Sequence, residues 1–160
     1  RVRIHTRLPI VIPQRITQTL AAALTQTRLQ AIMVIHCNHP QELDDNTAQA
    51  FKTLKQAGMT LLNQSVLLKN INDNAASLIT LSETLFEQGV LPYYLHTLDT
   101  VVGSAHFQVT DAVTEQLYRQ LLTQCPGYLV PKLVSDGPGH PYKQPWPITH
   151  TMTPKTTAAI

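Results

Sequence analysis

The sequence predicts an α/β protein on parallel strands, read as a partial (β/α) barrel of about four βα units followed by a carboxyl-terminal extension. Three observations carry that reading. Short, near-continuous apolar runs alternate with segments of helical period, as expected for strands buried on both faces and joined by helical crossovers. The strand-and-helix unit returns about every 30 residues, the length of a βαβ step. Polar side chains gather where each run stops: His36, Asn38 and His39, then Asn63, Gln64 and Ser65, then His96 and Asp99. Barrel enzymes place their chemistry on the loops after the strands. A doubly wound sheet is the rival, but no G-x-G-x-x-G opens a helix, which weakens its dinucleotide-binding form. Four units do not close a barrel, and Arg1 already stands at the edge of a strand-like run, so the chain is expected to be part of a longer protein.

The elements follow in order. Residues 2–6 form the first strand, with 9–13 as a candidate continuation. Residues 17–28 read as a helix with Leu20, Ala23 and Leu24 on one face, and 31–36 (AIMVIH) as the second strand. The helix over 44–57 carries Ala48, Phe51 and Leu54, and Gly58 supplies the residue after it. Residues 60–68 form the third strand. The helix over 73–88 carries Leu78, Leu81, Leu85 and Phe86 and stops at Gly89; residues 91–98 form the fourth strand. The helix over 110–124 carries Val113, Leu117, Leu121 and Leu122 and ends at Pro126-Gly127. Asn72-Asp73-Asn74 and Thr110-Asp111 offer side-chain oxygens to the free amides of their helix starts. Residues 127–134 read as a strand broken by Pro131, and therefore as an edge. A glycine- and proline-rich turn over 136–143 follows, then a Pro- and Thr-rich tail over 144–160, expected to be extended or disordered. Residues 1–125 thus form the barrel part and 126–160 a carboxyl-terminal segment.

Composition excludes several classes. Of 160 residues, 43% are hydrophobic and 14% charged, which is not the balance of a disordered chain. Twelve basic against ten acidic side chains leave a formal charge of +2, too weak for a nucleic-acid footprint. No apolar run reaches the roughly 18–20 residues of a membrane span, and no signal-peptide pattern opens the chain. Cys37 and Cys125 make no disulfide framework and stand too far apart for a local metal motif, so a reducing compartment, the cytoplasm, is expected.

Each candidate motif has a plain alternative. His36-Cys37-Asn38-His39-Pro40 could hold a ligand at a strand end, even a metal, or could be a capped turn. Asn63-Gln64-Ser65 puts amides in an apolar strand, where they need partners, either a ligand or a neighbouring loop. Asp99 stands at a strand's carboxyl end, a favoured catalytic position in barrels, and could instead cap a helix. Lys143 closes the turn over 136–143; lysine forms Schiff bases with pyridoxal phosphate, but is more often a solvated charge. Arg7 and Arg15 suit carboxylate or phosphate recognition, or rim salt bridges.

Taken together and in order, these segments resemble the lysine 2,3-aminomutase family. The resemblance rests on residues 3–17 (RIHTRLPIVIPQRIT), His36-Cys37-Asn38-His39-Pro40, residues 63–68 (NQSVLL), Asn72-Asp73, Pro92-Tyr93-Tyr94 with Asp99, Ala105-His106-Phe107, and Gly127-Tyr128 through Pro131. It runs to about Pro145. Residues 91–96 (LPYYLH) and 127–133 (GYLVPKL) look most like the bacterial branch that makes (R)-β-lysine for elongation factor P.

The resemblance implies a barrel of the radical S-adenosylmethionine type. It implies migration of the amino group of L-lysine from Cα to Cβ, through a substrate radical carried on pyridoxal phosphate and started by a 5′-deoxyadenosyl radical. The family's D-x-P-G-x-x-x-K turn matches residues 136–143 (DGPGHPYK), so Lys143 would form the Schiff base with pyridoxal phosphate. Asp99 and Asp136 would hold the side-chain ammonium of the substrate. Gln64 would contact S-adenosylmethionine, and His36 would make a further polar contact to it. L-lysine, proteins of the elongation factor P pathway and further copies of the chain in a homo-oligomer are the expected partners; nucleic acid and membrane are not. Two departures stand out: His140, Pro141 and Tyr142 replace glycines of the free-lysine enzymes, and His96 replaces a tyrosine near the pyridoxal ring. The family's [4Fe–4S] cluster needs C-x-x-x-C-x-x-C, which two distant cysteines do not supply. The family places that motif earlier in the chain, so the sequence reads as a carboxyl-terminal part, with no metal ligand of its own and inactive by itself, prone to self-association through an open sheet edge. A non-catalytic module binding pyridoxal phosphate or a protein is the alternative, and an unrelated barrel hydrolase using Asp99 as base a weaker one.

Overall fold

The computed structural model describes residues 1–99, 101–136 and 142–147. Six strands form one sheet in the order β1-β2-β3-β4-β5-β6: Val2–Thr6, Ala31–His36, Thr60–Val66, Leu91–His96, Lys132–Ser135 and Gln144–Pro145. The first five run parallel, and β6 returns antiparallel to β5. Helix α1 (Leu8–Val11) is a single turn after β1. The longer helices α2 (Gln18–Thr25), α3 (Asp45–Gln56), α4 (Ala75–Glu87) and α5 (Asp111–Gln124) fill the four crossovers.

Strand order in space equals order in sequence, with no reversal. Parallel crossovers share one hand, so such an order stacks every helix on the same face. That is barrel construction; a doubly wound sheet reverses its order and carries helices on both faces. The packing agrees. Met33, Ile35 and Leu61 from the strands meet Ala21, Phe51, Leu54, Leu81 and Leu85 from the helices in one cluster. Leu95 and Leu133 meet Leu78, Leu117 and Leu121 in a second. The outer, helix-covered face is thus the hydrophobic core, and the opposite, inner face is left for other side chains.

Local chemistry sets the helix ends. Asp44 accepts from the Thr47 amide while the Thr47 hydroxyl accepts from the Asp44 amide, a reciprocal cap at the start of α3. Asn74 caps α4 through the Ser77 amide. Gly58 and Gly89 follow α3 and α4 with φ of +85° and +78°, a left-handed turn that glycine takes without steric cost.

Several sequence expectations need correction. Residues 9–13 do not prolong β1. Thr6 Oγ1 accepts from the Leu8 amide at 3.0 Å, and prolines at the starts of α1 and of the 3-10 turn Pro13–Arg15 turn the chain away. Residues 127–134 are not one edge strand. Gly127–Leu129 is a 3-10 turn, Pro131 precedes β5, and β5 is paired on both sides. β3 and β4 stop at Val66 and His96, short of 68 and 98. The helices are also shorter than expected at α2, which ends at Thr25 rather than residue 28. Thr110 stands at the start of α5 without a side-chain cap bond. Most of the turn over 136–143, and the tail beyond 147, lie outside the described residues.

Candidate active site

In-register neighbours on parallel strands point to the same side of the sheet. His36 pairs with Gln64, Gln64 with Tyr94, and Tyr94 with Lys132. These four therefore make one row across the inner face. The next row toward the carboxyl ends is Val66, His96 and Val134. A bulge between β3 and β4 inserts Tyr93, since Asn63 pairs with Pro92 and Gln64 with Tyr94. Proline lacks the N–H a regular ladder needs, and a bulge accommodates it. The bulge also brings two adjacent tyrosines together, with ring centroids 3.8 Å apart and the Tyr93 hydroxyl donating to the Tyr94 hydroxyl at 3.0 Å. That hydrogen bond, with burial, holds the Tyr94 phenol above its ordinary pKa and so neutral.

The asparagines on the outer face and in the loops beside it are hydrogen-bonded to backbone. Asn63 accepts from the Cys37 amide at 3.0 Å and donates to the Cys37 carbonyl at 3.1 Å. Asn38 Oδ1 accepts from the Val66 amide. Asn72, fully buried, accepts from the Leu68 amide and donates to the carbonyls of Asn38 and Val66. These bonds tie together the ends of β2 and β3 and the approach to α4. The Cys37 thiol is pushed up to about 12, mainly by burial, and its sulfur contacts the His39 carbonyl oxygen. His39 and Glu42 cap the following 3-10 turn, and Arg7 forms an ion pair with Glu42. In this loop the capped-turn reading holds for Cys37, Asn38 and His39. No grouping of three potential metal ligands occurs among the described residues.

Polar groups on the inner face are not saturated. Four buried polar side-chain atoms lack a well-formed hydrogen bond among the described residues: His36 Nε2, Gln64 Oε1, His96 Nε2 and, at the far end of α4, Gln88 Oε1; of these Gln64 is approached by the His5 ring, whose pKa that contact raises against the larger lowering by burial. The first three lie in the two rows just described. Burial, with His5 and Arg7 nearby, holds His36 below the ordinary imidazole pKa, so at pH 7 it is neutral. The His5 ring meets His36 edge-on, centroids 6.0 Å apart.

At the β4–β5 end, three residues converge. Lys143 Nζ lies 2.8 and 3.1 Å from the two oxygens of Asp136, and His96 Nδ1 lies 3.3 Å from Oδ2 of the same carboxylate. The ammonium also sits 5.7 Å from the Tyr94 ring centroid, within cation–π range. The Lys143 hydrogen bond holds the Asp136 carboxyl below its ordinary range, outweighing the opposing effect of burial. Tyr94, Val134, Lys143 and Trp146 line a cleft of about 360 Å³ at this corner.

The structure thus brings together Lys143 and Asp136, and separately Gln64 and His36. Asp99 is exposed beyond β4; no hydrogen bond joins it to Asp136 or Lys143, and it reaches the group only through its field on His96. The resemblance sets position 96 near the pyridoxal ring, but the contact of His96 with Asp136 and the part of Tyr94 in the corner are not evident from the sequence. Strand parity held the signal: 94 and 96 share a face, and Asp136 lies two residues beyond Val134, the partner of His96.

No protein-family model matches the chain. Individual relatives do. The chain is 53% identical to an L-lysine 2,3-aminomutase of Escherichia coli over 145 residues, 91% of this chain and 42% of that protein. It is 53% identical to the enzyme of that name from Haemophilus influenzae over 143 residues, 89% of this chain and 42% of the relative. That from Clostridium subterminale is 36% identical over 144 residues, 90% of this chain and 34% of the relative. The chain belongs to the L-lysine 2,3-aminomutase family. It spans about two fifths of the length of the first two of these curated relatives.

Proposed function

We propose that this chain is part of an L-lysine 2,3-aminomutase that makes (R)-β-lysine for the modification of elongation factor P. The carrying observation is the Lys143–Asp136 pair at the carboxyl end of the sheet, beside the Tyr94 ring. Lys143 is the amine that would hold pyridoxal phosphate. Asp136 already binds a primary ammonium, the group that ends the side chain of L-lysine, so its chemistry suits that substrate, with Asp99 as the second carboxylate. Gln64 and His36 fit S-adenosylmethionine: Gln64 Oε1 is an acceptor and His36 Nε2, on a neutral ring, a donor or an acceptor by tautomer, side by side and matching the polar groups of the cofactor. When bound, pyridoxal phosphate supplies a carbonyl for the substrate amine and a ring that spreads an unpaired electron, and S-adenosylmethionine supplies the 5′-deoxyadenosyl radical that starts the shift.

The [4Fe–4S] cluster does not fit the residues present. Cys37 is buried on the helix side with its thiol held protonated, and Cys125 stands at the end of α5. No role in cluster binding is assigned to this chain. Among the described residues no helix is long and apolar enough to cross a membrane. A cytoplasmic site of action accords with two free cysteines, and a homo-oligomer is the proposed assembly.

Borohydride reduction in the presence of pyridoxal phosphate, followed by peptide mapping, tests the reading. The expected result is a pyridoxyl group on Lys143 that disappears in Lys143→Ala. Labelling spread over other lysines, or unchanged in that variant, contradicts it. Formation of β-lysine from L-lysine by the full-length gene product, with S-adenosylmethionine and dithionite, tests the reaction itself.

A further inference from the structure

His96 is 6% exposed, in the middle of the sheet between Val66 and Val134. One ring nitrogen faces the Asp136 carboxylate at 3.3 Å, and that carboxylate is kept ionised by Lys143. An ionised carboxylate only accepts, so the proton of the neutral ring sits on Nδ1. Nε2 is then a bare acceptor, buried and without a partner among the described residues. Burial and Lys143 keep the ring neutral, joined by the field of His36 and opposed by those of Asp136 and Asp99. Tyr94 packs against the ring edge-on, with centroids 5.7 Å apart. A histidine kept only for the fold would have its second nitrogen paired, as the outer-face asparagines have theirs.

We propose that His96 is a positioning residue: its Nδ1–H fixes Asp136 against Lys143, and its Nε2 accepts a hydrogen bond from an N–H or O–H of the molecule that Lys143 holds. The inference rests on Lys143 being the pyridoxal phosphate lysine. It also orients that molecule. An acceptor meets a donor, so any phosphate or carboxylate of the ligand points away from His96, and a hydroxyl or protonated amine points toward it.

Two readouts on the full-length protein test this. The first is ring ¹⁵N NMR without ligand. The expected spectrum at pH 7 shows His96 as the neutral Nδ1–H form, converting to Nε2–H in Asp136→Ala. An Nε2–H ring in the unsubstituted chain overturns the Asp136 contact, whatever the cofactor reading. The second is pyridoxal phosphate labelling of Lys143, scored beside melting temperature. His96→Gln places an acceptor oxygen where Nε2 stood and should retain most of the labelling, whereas His96→Asn keeps only a donor where Nδ1 stood and should lose the ligand contact. His96→Phe should lower apparent affinity about tenfold, the loss of one hydrogen bond to a charged group. Added pyridoxal phosphate should also move the His96 Nε2 resonance. Equal labelling in His96→Phe and the parent, or an unmoved resonance on a labelled chain, overturns the ligand role. Absence of label at Lys143 in the unsubstituted chain overturns the cofactor reading and the ligand role together, leaving the tautomer to decide the Asp136 contact.

Discussion

Asn63 and Gln64 are neighbours in one strand and carry the same amide group, yet they meet opposite circumstances. Asn63 points outward, is 3% exposed, and uses its oxygen and its nitrogen on the backbone of Cys37. Gln64 points inward, and its oxygen is buried with no well-formed hydrogen bond, only the approach of the His5 ring. The contrast extends across the sheet. Outside, Asn38, Asn63 and Asn72 close a network that joins the loops after β2 and β3. Inside, His36, Gln64 and His96 each keep one atom in reserve. A buried polar group that serves the fold is usually saturated, because each unmade bond costs about 1–3 kcal/mol. Gln88 Oε1 at the end of α4 is a lone exception among the described residues, whereas the three inner-face atoms cluster in two adjacent rows, as a ligand site requires. The two faces divide labour: the outer asparagines hold the strand ends in place, and the inner side chains wait for ligands.

The largest effect should come from breaking the outer network. Asn72→Leu strands the Leu68 amide and the carbonyls of Asn38 and Val66, and should lower stability by about 3 kcal/mol in urea denaturation. A loss under about 1 kcal/mol would show that water replaces those bonds and would blur the contrast. The inner face should respond in binding. Gln64→Leu should weaken S-adenosylmethionine binding by the full-length protein about tenfold in calorimetric titration. Unchanged affinity would remove Gln64 from the site.

Acid should act on the inner face first. His36 and His96 are held below the ordinary value of 6.5, chiefly by burial, so the unfolded chain binds protons that the folded chain refuses. Their contribution is complete above 6.5 and is lost as pH falls below it. Asp136, held below 3.8 by Lys143, adds a second loss as pH falls through that lower range. Denaturation curves from pH 8 to 5 should therefore show falling stability, with a shallower slope in His96→Asn. A flat profile would contradict the burial of these rings. The smallest effect is chemical. Cys125 is half-buried and Cys37 fully buried, so a thiol reagent should modify Cys125 in the native chain and Cys37 only on unfolding. Equal rates would mean the outer face opens readily.

Much of this was legible in the sequence. The parallel strands, the helices between them and the stops at Gly58 and Gly89 follow from periodicity and from glycine's tolerance of positive φ. Residues 9–13 misled because Pro-Ile-Val-Ile-Pro has strand composition, while the decisive groups, the Thr6 hydroxyl and prolines at helix starts, are local geometry. Of Asn72-Asp73-Asn74, Asn74 caps α4 as expected; the distant partners of Asn72 at residues 38 and 66 leave no trace in local pattern. The site was legible where it follows strand ends, as at His36 and Gln64, and Lys143 was legible through resemblance. The convergence of His96 on Asp136 was not, because it depends on the register of β4 against β5, which no single segment encodes.

Urea denaturation of Asn63→Leu and Gln64→Leu, side by side in one buffer, tests the division between the two faces most directly. Asn63→Leu should lose about 2 kcal/mol, since the Cys37 amide and carbonyl are left unpaired in the core. Gln64→Leu should stay within about 1 kcal/mol of the parent or exceed it, because it removes a buried acceptor that makes no well-formed hydrogen bond. Equal losses, or a larger loss for Gln64→Leu, would mean that the inner face is built for the fold and not for ligands.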